Sequence, residues 1–406
     1  MSWTTGLDRL LAEGVDRLRG RRYGLLGHGA SLTRDLVPAH LALAGRDAAP
    51  AALFGPEHGY YGVEQDMAPA ADARDPWIGV PILSLYGETV DTLRPDPSAF
   101  RGLDLLVVDL QDVGARYYTY AATAVWAAEA ALAAGCEVWV LDRPNPIGSA
   151  VEGNLLADGY TSFVGAFPGL PPRHGLTFAE LVRWQGRRLG WDDQAVTCWT
   201  LDGWDAASLW PAQVGARAFL PPSPNMPTVH IALLYPGGCL IEATELSEGR
   251  GTTRPFQLAG APGLDPRALA ARLDAASLPG IAFVPTYFKP QFQKHAGAVC
   301  GGVELFVTDP DTFRPYRTGV ELLWALRAEA PERFAWRHAP YEFVTDQPAV
   351  DLLAGTDHLR LALDAGDRAA LDAWIASWPA DEAAFRAECE DALLYPRPAG
   401  DAGRSR

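Results

Sequence analysis

Leu103–Gly114 reads LDLLVVDLQDVG. Leu105–Val108 is apolar without alternation, the pattern of a strand covered on both faces, as in a parallel sheet. The run then breaks into Asp109, Gln111 and Asp112 ahead of Gly114. In a doubly wound α/β sheet, ligands gather beyond the carboxyl ends of the strands. A polar break at that point therefore marks a candidate crevice as well as a strand end. The following stretch, Thr119–Ala134 (TYAATAVWAAEAALAA), reads as a helix stopped by Gly135.

The same strand-then-helix unit recurs on both sides. Strand-like runs stand at Tyr23–Gly27, Ala51–Phe54, Pro81–Tyr86 and Glu137–Leu141, and a helix opens at Thr177 with Glu180 at capping-box spacing. Beyond about residue 200 the style changes. Proline is dense in Leu220–Pro227 (LPPSPNMP), and strand-like runs at Gly238–Leu246, Ile281–Phe288 and Gly302–Val307 lie among helices. Two alanine-rich helical patterns follow, Asp367–Ser377 and Asp381–Leu393, and Pro396–Arg406 reads as loose. The expected architecture is a doubly wound α/β domain over 1–200 and a second, α+β domain over 201–406.

Composition narrows the function. The chain has 406 residues, 48% hydrophobic and 21% charged, with a formal net charge of −16. That is a globular mixture with ample core, and its acidity excludes nucleic acid and anionic membranes as partners. No apolar run is long enough for a membrane helix, and MSWTTGLDRLLAEGVDRLRG is charged and amphipathic, so a cytoplasmic protein is expected. A misassigned start would instead allow a secreted one. The five cysteines are scattered without CxxC spacing, which indicates neither disulfides nor zinc. Gly27-His28-Gly29 lacks the third glycine of a dinucleotide fingerprint, Leu32 standing there. No metal or organic cofactor is expected. Only Lys289 and Lys294 are lysines and the remaining basic residues are arginines, which reads as coding bias.

Several clusters carry candidate chemistry. Phe54–Gly62 (FGPEHGYYG) places Glu57 and His58 in a glycine-rich loop at a strand end, where they serve as acid machinery or simply tie the loop together. Asp112, Arg116, Tyr117 and Tyr118 precede the Thr119 helix; they suit a sugar, whose ring has apolar faces and polar rims, or else a cap and a core. Asp142-Arg143-Pro144-Asn145-Pro146 forms a rigid turn in which Asp142 and Arg143 read as a structural pair. Phe167–Gly175 holds Arg173 and His174, and Ser223–Thr228 holds Asn225. Tyr235–Phe256 brings Glu242, Glu245, Glu248, Arg250 and Arg254 together, the best place for a basic pocket able to read a carboxylate.

Taken in order, LFGPEHG (53–59), DLQDVGARYYTY (109–120), DRPNP (142–146), RHGLT (173–177), PSPNMPT (222–228) and SEGRGTTRPF (247–256) resemble the exo-β-N-acetylmuramidase family. The likeness runs from about residue 6 to 395. It implies a Rossmann-like domain followed by a smaller α+β domain with the active cleft between them. It also implies removal of N-acetylmuramic acid from the non-reducing ends of peptidoglycan fragments. Two departures stand out. Tyr61 replaces an arginine after the Glu-His motif, and Glu242-Ala243-Thr244-Glu245 replaces Glu-Gly-Thr-Asn.

On that resemblance Glu57 is the expected general acid, oriented by His58, with Glu242 as second carboxylate and Glu248 behind it. Arg250, Arg254 and Arg116 are the candidates for the lactyl carboxylate, and Asn225 and Thr252 for the acetamido or hydroxyl groups. Gln111, Asp112, Tyr117, Tyr118 and His174 complete the expected substrate site. The expected partner is a muropeptide or MurNAc-GlcNAc fragment. Two rivals remain: a non-catalytic muropeptide-binding protein, and a metal hydrolase using Glu57, His58, Asp66 and His174, which no HExxH spacing supports.

Overall fold

The computed structural model describes residues 3–65, 68, 71–87, 89–207, 209–210 and 218–397. Strands β1 (Tyr23–Gly27), β2 (Ala52–Gly55), β3 (Ala73–Arg74), β4 (Pro81–Ser84), β5 (Leu105–Asp109), β6 (Glu137–Leu141) and β7 (Val196–Trp199) form one sheet. Its order is β3-β4-β2-β1-β5-β6-β7, parallel throughout except for the short edge pair β3–β4. Leaving β3 aside, this is the Rossmann-like order, which reverses its winding between β1 and β5.

The continuous apolar runs follow from two cores on opposite faces of this sheet. Leu26, Phe54, Leu106, Val108, Val138 and Val140 face one of them. Their neighbours Leu25, Leu53, Leu105, Val107, Trp139 and Leu141 face the other. Short helices α1 (Gly6–Arg9) and α2 (Ala39–Ala44) cover that second face with Leu7, Ala39 and Leu43. Helices α3 (Tyr120–Ala133) and α4 (Phe178–Arg188) cover the first. The capping box of α4 forms as its spacing predicts, Thr177 and Glu180 each bonding the other's backbone N–H.

The second unit is built on an antiparallel sheet, β8 (Leu258–Pro262), β9 (Ile281–Phe288) and β10 (Cys300–Val307), in the order β8-β10-β9. Around it lie α5 (Val229–Gly238), α6 (Pro266–Ala275), α7 (Pro315–Glu329), α8 (Ala349–Ala354), α9 (His358–Ala365) and α10 (Arg368–Cys389). No helix among the described residues is long and apolar enough to cross a membrane.

Two expectations are corrected. Gly238–Leu246 is no strand: α5 ends at Gly238 and passes into a 3₁₀ segment, Cys239–Ala243. Only Gly238 of that run belongs to α5; its apolar part, Cys239–Ala243, is a fully buried turn, and a short buried apolar run is not separated from a strand by periodicity alone. The two expected tail helices are one, because α10 continues through Pro379. Trp374, Trp378, Glu382 and Phe385 are buried on either side of the proline, and that packing outweighs the missing N–H.

Candidate active site

After β2 the chain reverses abruptly. A side chain at Gly55 would meet the Tyr60 backbone N at 2.5 Å, so only glycine permits the fold-back. The loop that follows carries Glu57 inward, and His58 adopts left-handed backbone (φ 70°). The His58 ring Nδ1 lies 2.9 Å from the Glu64 carbonyl oxygen, so this nitrogen braces the loop. Glu57 is buried and accepts a 2.7 Å hydrogen bond from the Thr119 hydroxyl, immediately before α3.

Glu57, His58, Tyr117, Tyr118 and Thr119 form one wall of a cavity. Ser223, Asn225 and Met226 of the proline-rich segment form a second, and Tyr235, Glu242, Arg250, Phe256, Tyr341 and Glu342 a third. The cavity thus joins the end of the parallel sheet to the second unit. Burial pushes the hydroxyls of Tyr117, Tyr118 and Tyr235 well above the usual phenol range, so they stay protonated donors. Tyr118 approaches the Ser223 and Tyr120 side chains, yet its hydroxyl has no hydrogen bond of good geometry. It is a buried donor facing the cavity.

Glu242 is surrounded by donors. Its Oε1 accepts from Arg250 Nε (2.9 Å) and Nη2 (2.5 Å), and its Oε2 accepts from the Tyr341 hydroxyl (2.6 Å) and the Cys239 thiol (3.8 Å). Burial raises this carboxyl, but Arg250, Tyr341 and Lys294 together outweigh burial and hold it below the ordinary carboxylate range. It is anionic at neutral pH. Glu248 lies behind it, 2.9 Å from Lys294 Nζ and 3.7 Å from Arg250 Nε. Lys294 also reaches the carbonyls of Ile241, Glu242 and Leu246 at 3.1–3.3 Å. Its compact ammonium ties the turn together, a role hidden in a sequence where lysine is merely rare.

Of the expected site residues, Glu57, His58, Tyr117, Tyr118, Asn225, Glu242 and Arg250 line the cavity. The others lie elsewhere. Gln111 donates to the carbonyls of Asp112 (2.7 Å) and Pro144 (2.9 Å), bracing two strand ends. Asp112 accepts from the Gly114 N–H (2.7 Å) and faces His174, whose Nδ1 accepts from the Leu176 N–H. Arg116 donates to the carbonyls of Asn154, Leu170 and Leu353, joining the β5–α3 loop to α8. Thr252 bonds the Gly249 carbonyl, and Arg254 pairs with Glu304. These polar groups build the walls. Asp66, named for a metal alternative, lies outside the described residues.

At the switch point between β1 and β5, where this fold often holds a nucleotide, a second pocket is lined by Leu32, Gln111 and Arg143, and its charged groups are paired within the protein. Arg143 makes a two-pronged pair with Asp109 (2.5 and 2.8 Å), so its partner is not Asp142 as its position suggested. His28 accepts from the Gln111 N–H at 2.9 Å through Nε2. Burial and the nearby Arg143 lower its pKa to about 3, so the ring is neutral and its Nδ1–H faces the Pro222 carbonyl at 3.3 Å.

Sequence reasoning passed over Thr119, Tyr341 and Glu342 as site residues. Nothing in HAPYEFVTD (338–346) flags Tyr341 or Glu342: the stretch has no glycine and no turn dipeptide. Their signal is conformational, since Glu342 (φ 45°) and Phe343 (φ 68°), like His58 and Phe256 (φ 61°), hold left-handed backbone unusual for such side chains. Of the two departures, Tyr61 gives its hydroxyl to Asp75, away from the cavity, and Glu245 is exposed.

The family model for the N-terminal part of exo-β-N-acetylmuramidase NamZ matches residues 23–230, and that for its C-terminal part matches 233–395. The chain is 38% identical over 364 residues to the peptidoglycan β-N-acetylmuramidase NamZ of Bacillus subtilis (strain 168), covering 89% of this chain and 84% of the relative. It also resembles crystal structures of two DUF1343 family proteins from Bacteroides fragilis NCTC 9343. One has TM-score 0.86 and 30% identity over 97% of this chain and 99% of the other. The second has TM-score 0.74 and 26% identity over 98% and 100%. The chain belongs to the exo-β-N-acetylmuramidase NamZ family.

Proposed function

We propose that the chain is an exo-acting glycoside hydrolase releasing N-acetylmuramic acid from the non-reducing ends of peptidoglycan fragments, with Glu57 as general acid. The observation that carries this reading is a buried carboxyl held by Thr119 in a cavity of aromatic faces and further carboxylates. Glu57 gives its proton to the leaving glycosidic oxygen, and a second carboxylate on the opposite wall supports the anomeric centre. Aromatic faces receive the sugar ring, and Asn225 and the Tyr118 hydroxyl are placed for its polar rim. Arg250 supplies the positive charge that the lactyl carboxylate of muramic acid requires. Gln111, Asp112, Arg116, His174, Thr252 and Arg254 serve by holding the walls. Hydrolysis by carboxylates calls for no metal.

Turnover of cell-wall fragments in a reducing compartment suits the five cysteines, all of them free. We place the division between the two domains near residue 200, just beyond β7.

The test compares wild type with Glu57→Gln on two substrates. With MurNAc-GlcNAc, whose leaving sugar needs a proton, kcat falls by about 10²–10⁴-fold. With a nitrophenyl MurNAc glycoside, whose leaving group needs none, the loss is much smaller. Equal rates for the two proteins on the disaccharide remove Glu57 from the acid role. Equal cleavage of MurNAc and GlcNAc glycosides by the wild type would remove the lactyl–arginine contact.

A further inference from the structure

Tyr341 and Val344 exchange both backbone hydrogen bonds, at 3.1 and 2.9 Å, leaving Glu342 and Phe343 as a two-residue loop. Both have positive φ. Turns of that kind are ordinarily built from Asn-Gly or Asp-Gly, because left-handed backbone penalises a larger side chain. Here a glutamate and a phenylalanine occupy the two positions, so the turn holds strain that its surroundings must sustain. The surroundings are visible. The Tyr341 hydroxyl is fixed to Glu242, the Phe343 ring packs on Tyr86 with centroids 5.8 Å apart, and the Tyr86 hydroxyl stands 3.5 Å from Glu342 Oε2. The product of this arrangement is a buried carboxyl at the turn's tip, lining the cavity that Glu57 lines from the other domain.

Glu242 is poorly suited to react. A carboxylate has about four acceptor sites, and two Arg250 donors, the Tyr341 hydroxyl and the Cys239 thiol fill them. Attack on a sugar or removal of a proton from water would break a pairing that also anchors the strained turn.

We infer that Glu342 is the second carboxylate of the hydrolysis, and that Glu242 is a positioning residue acting on it through Tyr341. The inference rests on the functional reading above, with Glu57 as acid. In the step, a water oxygen bonds the anomeric carbon while Glu342 takes the water's proton. The bond from that carbon to the leaving oxygen breaks, its electron pair stays on the oxygen, and Glu57 protonates it. The charge building at the anomeric centre is met by the Glu342 carboxylate.

Glycine relieves left-handed strain, so Glu342→Gly separates folding from chemistry. The assay uses a nitrophenyl β-MurNAc glycoside with and without sodium azide. Glu342→Gly is expected to unfold at a higher temperature than wild type and to hydrolyse about 10³-fold more slowly. Azide, which needs no base, restores its turnover and yields the α-glycosyl azide. Glu242→Gln and Tyr341→Phe lower kcat more than KM, and azide rescues neither. Hydrolysis by Glu342→Gly within tenfold of wild type overturns the inference, as does azide rescue of Glu242→Gln in its place. A wild type inert on this glycoside would overturn the functional reading and this inference with it.

Discussion

Asp109 and Arg143 show what buried charge does at this sheet's crevice. Both are buried, and their two-pronged pair occupies the ground where related folds bind phosphate. Desolvation makes such a pair a weak source of net stability, but removing one member strands the other. Arg143→Ala is therefore expected to destabilise by about 3–5 kcal/mol in chemical denaturation. Arg143→Met with Asp109→Leu should lose far less than the single change. Thr119 carries a smaller, purely local effect. Replacing it with valine keeps the volume and removes the hydroxyl bonded to Glu57. Loss of one buried hydrogen bond costs about 0.5–1.5 kcal/mol, so Thr119→Val should lower kcat severalfold, by loosening Glu57, with only a modest fall in melting temperature.

Among the elements, the α5–α7 crossing sets the third wall of the cavity, since α5 delivers Tyr235 and leads into the segment with Glu242. The two helices touch at Gly237 and Gly319. A Cβ at Gly319 would lie 2.3 Å from the Gly237 carbonyl oxygen, and one at Gly237 would lie 2.0 Å from the Pro315 carbonyl. Backbone atoms on both sides leave nothing flexible to yield. Gly319→Ala is expected to cost more than about 2 kcal/mol by overpacking and, by moving Glu242, to depress activity beyond its effect on the melting temperature. The alanine's better helix propensity offsets only about 1 kcal/mol of that. Circular dichroism melts beside steady-state rates measure both effects.

At the scale of the whole molecule, the segment after α10 returns to the first sheet and closes the structure. The Tyr395 hydroxyl donates to Asp142 at 2.5 Å and accepts from the Leu201 N–H. Leu394 N–H and Arg397 bond Glu180. Asp142 also accepts from the Thr177 hydroxyl (2.9 Å) and the Ala179 N–H (2.8 Å). Burial still wins, aided by the nearby Glu180, and pushes its carboxyl up to about 7. The unfolded carboxyl ionises near 3.8. Between those values the folded chain keeps a proton that the unfolded chain has released, so raising the pH favours unfolding. The stability that Asp142 contributes is full below about pH 4 and is lost as pH rises through 7, a change of a few kcal/mol. Asp142→Asn should flatten this limb of a denaturation-versus-pH profile; an unchanged profile would show that Asp142 does not titrate there.

How much was legible differs by scale for a physical reason. Hydrophobic periodicity is local, so the two-faced cores of β1, β2, β5 and β6 and the Thr177 cap could be read directly from spacing. So could the loop of Glu57, because three glycines and a proline leave a strand end few conformations. The short buried run Gly238–Leu246 was misread as a strand, since burial on every side erases periodicity. Arg116, Asp112 and His174 looked like binding groups because a sequence shows a polar side chain without showing what it bonds. Only the tertiary structure spent them on carbonyls and on one another. Glu342 is the opposite case, an ordinary glutamate in an unremarkable stretch that a strained turn carries into the cavity. The sequence by itself determined the sheet, the globular class and the family. Which carboxylates meet across the cleft was decided by two domains closing on each other, because that meeting depends on contacts far apart along the chain.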